Sequence, residues 1–124
     1  MSKSVQVRLS GAGGQGLITA GVILAEAAML DGRNVVQTQT YGPEARLGSS
    51  KAEVIISSGV IAYPEVTSPD VLICLSADAA RKYGPRVRPD TLVIFDSTNI
   101  PESVTTPGRV VRAPITQTAI TVGS

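Results

Sequence analysis

The sequence predicts an α/β fold: an open, mostly parallel sheet flanked by helices, with one β-hairpin. Three observations carry this prediction. A strand pattern runs directly into a glycine-rich loop, the loop opens a helix, and short apolar runs alternate with helix starts along the rest of the chain. Taking the elements in order, Val5, Val7 and Leu9 alternate with Gln6, Arg8 and Ser10, which is the period of a strand. Gly11-Ala-Gly-Gly-Gln-Gly16 follows at once. From Gln15 to about Leu30 the residues favour a helix, with Leu17, Ala20, Leu24, Ala27 and Ala28 at three- and four-residue spacings, and Asp31-Gly32 supply the stop. Asn34 to Gln39 reads as a second strand. Strand, helix and strand in this order predict a right-handed crossover between parallel strands, a Rossmann-like opening unit.

Tyr41 to Ser50 has no period and carries Gly42, Pro43 and Gly48, so it reads as a loop at the carboxyl end of the second strand, the ligand side of an open α/β sheet. Ala52 to Ile56 and Val60 to Tyr63 flank Ser57-Ser58-Gly59, a spacing that predicts the hairpin. Val71 to Leu75 is a buried strand, after which Ser76 and Asp78 offer caps for a short helix ending near Tyr83-Gly84-Pro85. Thr91 to Phe95 and Arg109 to Arg112 are further strands, and Pro114 to Ala119 opens a last helix.

The 124 residues, read as one domain over 1–124, are 43% hydrophobic and 17% charged, with a mean hydropathy of +0.20, which excludes disorder for most of the chain. A net charge of +1 without a basic block, and only three Tyr and one Phe, speak against nucleic acid as a partner. There is no His, which removes imidazole bases and His-built zinc sites. The single cysteine, Cys74, can form no internal disulfide and cannot hold an iron–sulfur cluster, which takes about four thiolates; in its apolar strand it reads as a small buried hydrophobe. The start of the chain lacks the apolar core of a signal peptide and no stretch reaches about 18 apolar residues, so the expected location is the cytoplasm, away from membranes.

Gly11, Gly13 and Gly16 match G-x-G-x-x-G in the context that motif requires, between a strand and a helix. Glycines let a ligand approach the backbone, and the amides at a helix start attract phosphate or carboxylate. NAD binding further needs an acid near the end of the second strand, and Val35 to Gln39 offers none; a P-loop needs Lys and Ser or Thr where Leu17 and Ile18 stand. The rival reading gives the glycines only a tight turn and close helix–strand packing. Gln15 can reach a ligand or cap the helix. Tyr41, Glu44 and Arg46 form a second constellation, suited to a bound acid, a coenzyme or a neighbouring subunit, or simply to an internal Glu44–Arg46 pair. Arg81, Lys82, Arg86 and Arg88 read as a solvated face.

Residues and order together add a resemblance. Val7-Arg-Leu-Ser-Gly-Ala-Gly-Gly-Gln-Gly16, Ala20-Gly21, Leu24-Ala-Glu-Ala-Ala28, Tyr41-Gly-Pro-Glu-Ala-Arg46, Ala52-Glu-Val54, Pro69-Asp-Val-Leu72 and Phe95-Asp96 resemble the gamma subunit of 2-oxoacid:ferredoxin oxidoreductases, the 2-oxoglutarate branch most closely. The likeness covers residues 5 to about 119, and the pairing of the two motifs is more specific than either alone. It implies an enzyme that oxidatively decarboxylates a 2-oxoacid with coenzyme A, giving acyl-CoA, carbon dioxide and reduced ferredoxin. It also implies that thiamine diphosphate, Mg²⁺ and the iron–sulfur clusters sit in alpha, beta and ferredoxin-like delta partners, with none bound by this chain alone. The lone cysteine and the lack of a Gly-Asp-Gly motif agree with that division. Gly11, Gly13, Gly14, Gln15 and Gly16, with Tyr41, Glu44 and Arg46, become the expected cofactor-side surface, with coenzyme A at the interface and no catalytic or metal-binding residue. Two departures stand out: Leu47 replaces a glycine that commonly follows the second motif, and family members usually extend beyond Ile120-Thr-Val-Gly-Ser124, so a truncated form, a short natural variant or one piece of a longer protein is expected. A free-standing dinucleotide- or coenzyme-binding module and a purely structural interaction module are the alternatives.

Overall fold

The computed structural model describes residues 4–12, 16–40, 50–61 and 66–123. Their elements are β1 (Ser4–Gly11), α1 (Leu17–Leu30), β2 (Asn34–Thr40), β3 (Ser50–Ser57), β4 (Val71–Cys74), α2 (Ala77–Tyr83) running into a 3₁₀ turn (Gly84–Arg86), β5 (Leu92–Asp96), β6 (Arg109–Ala113) and α3 (Ile115–Gly123). The strands form one sheet in the order β2-β3-β1-β4-β5-β6. Three of its five pairings are parallel, β1 with β4, β4 with β5 and β5 with β6; β3 runs antiparallel to both β1 and β2.

The alternation seen in β1 sorts two cores. Val7 and Leu9 face α1 and pack with Leu17, Ala25, Ala52 and Val54. On the other face, Leu72, Cys74, Val93 and Phe95 pack with Ala79, Ala80 and Tyr83 of α2 and with Ile100 and Val104. Each face therefore buries aliphatic surface, at roughly 25 cal/mol per Å² removed from water. The helix α1 stops where Asp31-Gly32 predicts: the Gly32 N–H donates to Met29 O and the Arg33 N–H to Ala28 O, both at 3.0 Å, a double closure of the last turn. At Gly108 the backbone passes so close to the sheet that a Cβ would lie 2.7 Å from Val93 Cγ2 and 2.9 Å from Thr91 O.

The opening β1-α1-β2 unit is present with its strands parallel, but β3 is inserted between them, so the crossover spans one strand position more than expected. The hairpin is also placed differently. Antiparallel neighbours β2 and β3 supply it, whereas Val60 and Ile61 are not in a strand; Ala62 and Tyr63 lie outside the described residues. The reason is edge occupancy: both edges of β3 are taken, by β1 and β2, so a returning strand at Val60 has no partner and Val60 is left exposed.

Candidate functional site

Because β1, β2, β4, β5 and β6 run the same way, their carboxyl ends share one edge of the sheet. From β1 the chain leaves over one face through α1, and from β4 over the other through α2. The strand order thus reverses between β1 and β4, and an open α/β sheet forms its ligand crevice at that point. Two bonds frame the crevice: the Leu75 N–H donates to Ser10 O at 2.8 Å, and the Ser50 hydroxyl donates to Gly11 O at 3.4 Å.

Three helices start along this edge, and their starts differ. The α2 start is closed by its own residues, since Ser76 Oγ accepts the Ala79 N–H at 3.2 Å and Asp78 lies in the first turn. The α3 start is closed from the end of β5. Asp96, wholly buried, accepts the Thr116 N–H at 3.2 Å, the Thr116 hydroxyl, the Thr98 N–H at 3.1 Å and the Asn99 amide at 3.2 Å, while Thr98 Oγ1 accepts the Gln117 N–H at 3.1 Å. The Asn99 amide also reaches Leu75 O at 3.1 Å, which ties the ends of β4 and β5 together. Burial works against the Asp96 charge, but the hydrogen bonds from Thr116 and Thr98 outweigh it and hold the carboxyl below its ordinary range. At α1, by contrast, the first cap is Gly16, at φ 76° and ψ 18°, with no side-chain cap and no acidic residue in the first turn. That left-handed conformation favours glycine, and a Cβ built there would meet no atom within 4 Å. Among the described residues, the α1 start therefore combines the positive end of a 14-residue helix, a left-handed glycine cap and no side-chain cap.

Of the residues expected here, Gly11 ends β1 and Gly16 caps α1. Gly13, Gly14 and Gln15 lie outside the described residues, as do Tyr41, Glu44 and Arg46. The ends that flank the second group are nonetheless fixed: Thr40 pairs with Lys51 and Ser50 with Gly11, so the segment between them leaves and rejoins the sheet beside the glycine loop. Sequence reasoning missed the Asp96 cluster, although Asp96 directly after the buried run Thr91 to Phe95, followed by Thr98 and Asn99, is a signal for a cap at a strand end.

Other polar groups serve structure. Arg8 and Glu53, opposite each other on β1 and β3, pair at 2.6 Å in the interior; the same guanidinium donates to Val66 O at 2.8 Å and lies 5.2 Å from the Tyr83 ring. Burial pushes the Cys74 thiol up to about 11, against the pull of the Ser10 hydroxyl and the Arg8 charge, so it stays protonated at neutral pH and is no nucleophile. Arg88 bonds Asp70 at 2.8 Å and Asp90 at 2.9 Å, consistent with a solvated structural role for that basic group. Among the described residues, no cluster of three His, Cys, Asp or Glu is placed to hold a metal ion, and no helix is long and apolar enough to cross a membrane.

Comparison with known proteins adds the following. A family model described as pyruvate ferredoxin/flavodoxin oxidoreductase matches residues 6–124. The 2-oxoglutarate synthase subunit KorC of Archaeoglobus fulgidus is 47% identical over 120 residues, 97% of this chain and 62% of its own length. Among solved structures, the gamma subunit of a keto/oxoacid ferredoxin oxidoreductase from Geobacter sulfurreducens is 43% identical, covers 93% of this chain and 64% of its own, and superposes with a TM-score of 0.75. The 2-oxoglutarate:ferredoxin oxidoreductase of Magnetococcus marinus, solved with 2-oxoglutarate, coenzyme A and succinyl-CoA bound, is 25% identical, with 98% of this chain and 22% of that chain covered and a TM-score of 0.83. The chain spans from about half to 62% of the length of the KorC relatives it matches.

Proposed function

The chain belongs to the pyruvate ferredoxin/flavodoxin oxidoreductase family, and from that premise we propose that it works as the gamma subunit of a 2-oxoacid:ferredoxin oxidoreductase, of the 2-oxoglutarate type, and only in assembly with catalytic partners. The likeness to the KorC subunit supports the 2-oxoglutarate branch. The observation that carries the structural part is the α1 start at Gly16, with no side-chain cap among the described residues, set beside the switch in strand order and next to the flanks of the Tyr41–Arg46 segment.

In this reading the α1 amides take an anionic group, and coenzyme A is the substrate whose phosphates suit them; the open space at Gly16 fits that use. Gly11, Gly13 and Gly14 would let the ligand approach the backbone, Gln15 would hydrogen-bond it, and Tyr41, Glu44 and Arg46 would form the facing wall against a neighbouring subunit. One buried thiol does not make a donor set for an iron–sulfur cluster. Thiamine diphosphate with Mg²⁺ and iron–sulfur clusters, held by the alpha, beta and delta partners, would supply decarboxylation and carry electrons to ferredoxin. This chain's own part is to complete the interface, orient the coenzyme and exclude water. The cytoplasm is the compartment this role requires.

Purification of the tagged chain from its native host tests the reading. Recovery of a thiamine-dependent partner, with coenzyme A-dependent oxidation of 2-oxoglutarate by the complex, is the expected result. A chain that comes down alone and binds NAD, FAD or coenzyme A by itself in a calorimetric titration would replace the reading with that of a free-standing module.

A further inference from the structure

Leu75, the residue directly after β4, sits where the strand order reverses. Its peptide is held from both sides. The N–H donates to Ser10 O at 2.8 Å, one residue before Gly11, and the carbonyl accepts the Asn99 amide at 3.1 Å. The Leu75 side chain packs against the core that contains Leu17, the first residue of α1. The end of β1, the end of β4 and the core beneath α1 therefore meet at one residue, and its carbonyl is held by a side chain from just beyond β5.

Asn99 is well placed for that hold. Its own N–H and that of Ile100 donate to Asp96 O at 3.1 and 2.9 Å, and Ile100 is buried in the α2-side core, so the backbone is fixed although Asn99 itself stands at the surface. Leu75 O and the Asp96 carboxylate only accept hydrogen bonds, so the amide nitrogen, and not its oxygen, faces them. The same nitrogen lies 3.1 Å from Thr116 Oγ1. Asp96 and Thr116 belong to the closed start of α3, whereas Leu75 belongs to the crevice, so one side chain joins the two. We propose that Asn99 is a positioning residue for the ligand end of α1. By fixing the Leu75 peptide it sets the end of β1, and the glycine loop that leaves it, at a defined place beside β4, and so preorganises the crevice. The inference rests on the reading of this crevice as the coenzyme A side of the assembled enzyme. Because Asn99 acts through Leu75 and not on the reacting atoms, its loss weakens coenzyme binding and spares the chemical step.

Two substitutions in the complex purified from its native host test the proposal. Asn99→Ala removes the hold on Leu75; Thr116→Val takes the hydroxyl from the α3 closure and leaves Asn99 bonded to Leu75. For Asn99→Ala, KM for coenzyme A should rise about fivefold with kcat within about twofold, the effect of one hydrogen bond read in binding. Hydrogen exchange at the Leu75 amide, followed without coenzyme A, should quicken by about the same factor. Thr116→Val should lower the denaturation midpoint and leave KM and Leu75 exchange unchanged. Unchanged Leu75 exchange in Asn99→Ala would overturn the hold itself, whatever coenzyme A does. Faster exchange with an unchanged KM would overturn the positioning role, and an equal rise of KM in both variants would reduce Asn99 to a part of the α3 closure. A natural complex whose oxidation of 2-oxoglutarate does not depend on coenzyme A is the separate sign that the underlying reading, and this proposal with it, is wrong.

Discussion

The starts of α1 and α3 sit on the same edge of one sheet and are built in opposite ways. At α3 the chain sets a buried carboxylate, Asp96, against the Thr116 amide in the first turn of the helix, and the charge is held by four hydrogen bonds. At α1 it places a glycine, no side-chain cap and no acid. An anion arriving from outside meets a fixed negative charge at one start and, among the described residues, neither an acid nor a side-chain cap at the other. The difference teaches that a helix start becomes a candidate binding end when the chain withholds its own cap, and that the closed start beside it gives the control.

Removing the closure gives the largest effect. Asp96→Ala would leave the Thr116 N–H and hydroxyl and the Thr98 N–H without this acceptor, and should cost about 2–3 kcal/mol in chemical denaturation. Affinity for coenzyme A in the assembled complex should change far less than stability does. A second substitution sharpens the contrast between two glycines. Gly108→Ala drives a methyl against Val93 and the Thr91 carbonyl and should cost about 1–3 kcal/mol, again read by denaturation and without a selective effect on coenzyme binding.

A smaller effect appears as pH dependence. The folded pKa of Asp96 lies below that of the unfolded chain, so its contribution to stability is complete above about pH 4 and is lost as pH falls through the lower folded value. Stability of the natural chain should therefore decline on the acid side more steeply than that of Asp96→Asn, whose curve lacks this limb. Thermal melts at a series of acid pH values check the difference.

Much of the fold was legible because its signals are local. The alternation of β1, the helical spacing of α1 and its Asp31-Gly32 stop, and the Ser76 cap of α2 all appear where the residues place them. Sheet order was not legible, since nothing within Ser50–Ser57 says that it will lie between β1 and β2. The misplaced hairpin has the same origin: Ser57-Ser58-Gly59 is good turn chemistry, but whether a strand follows depends on a free edge, which is a property of the whole sheet. For the candidate site, the glycine pattern located Gly11 and Gly16 at a strand end and a helix start. The closing role of Asp96 escaped because its partners, Thr98, Asn99 and Thr116, are brought together only when β5, β6 and α3 are in place.

The most direct test of the open start is to close it. Aspartate tolerates the left-handed backbone better than most residues, so Gly16→Asp brings a carboxylate to the α1 start at a strain of about 1 kcal/mol. Titration of coenzyme A into the purified complex should show affinity about tenfold weaker for Gly16→Asp than for the natural chain, with assembly unchanged. Equal affinity in an intact complex would contradict the account.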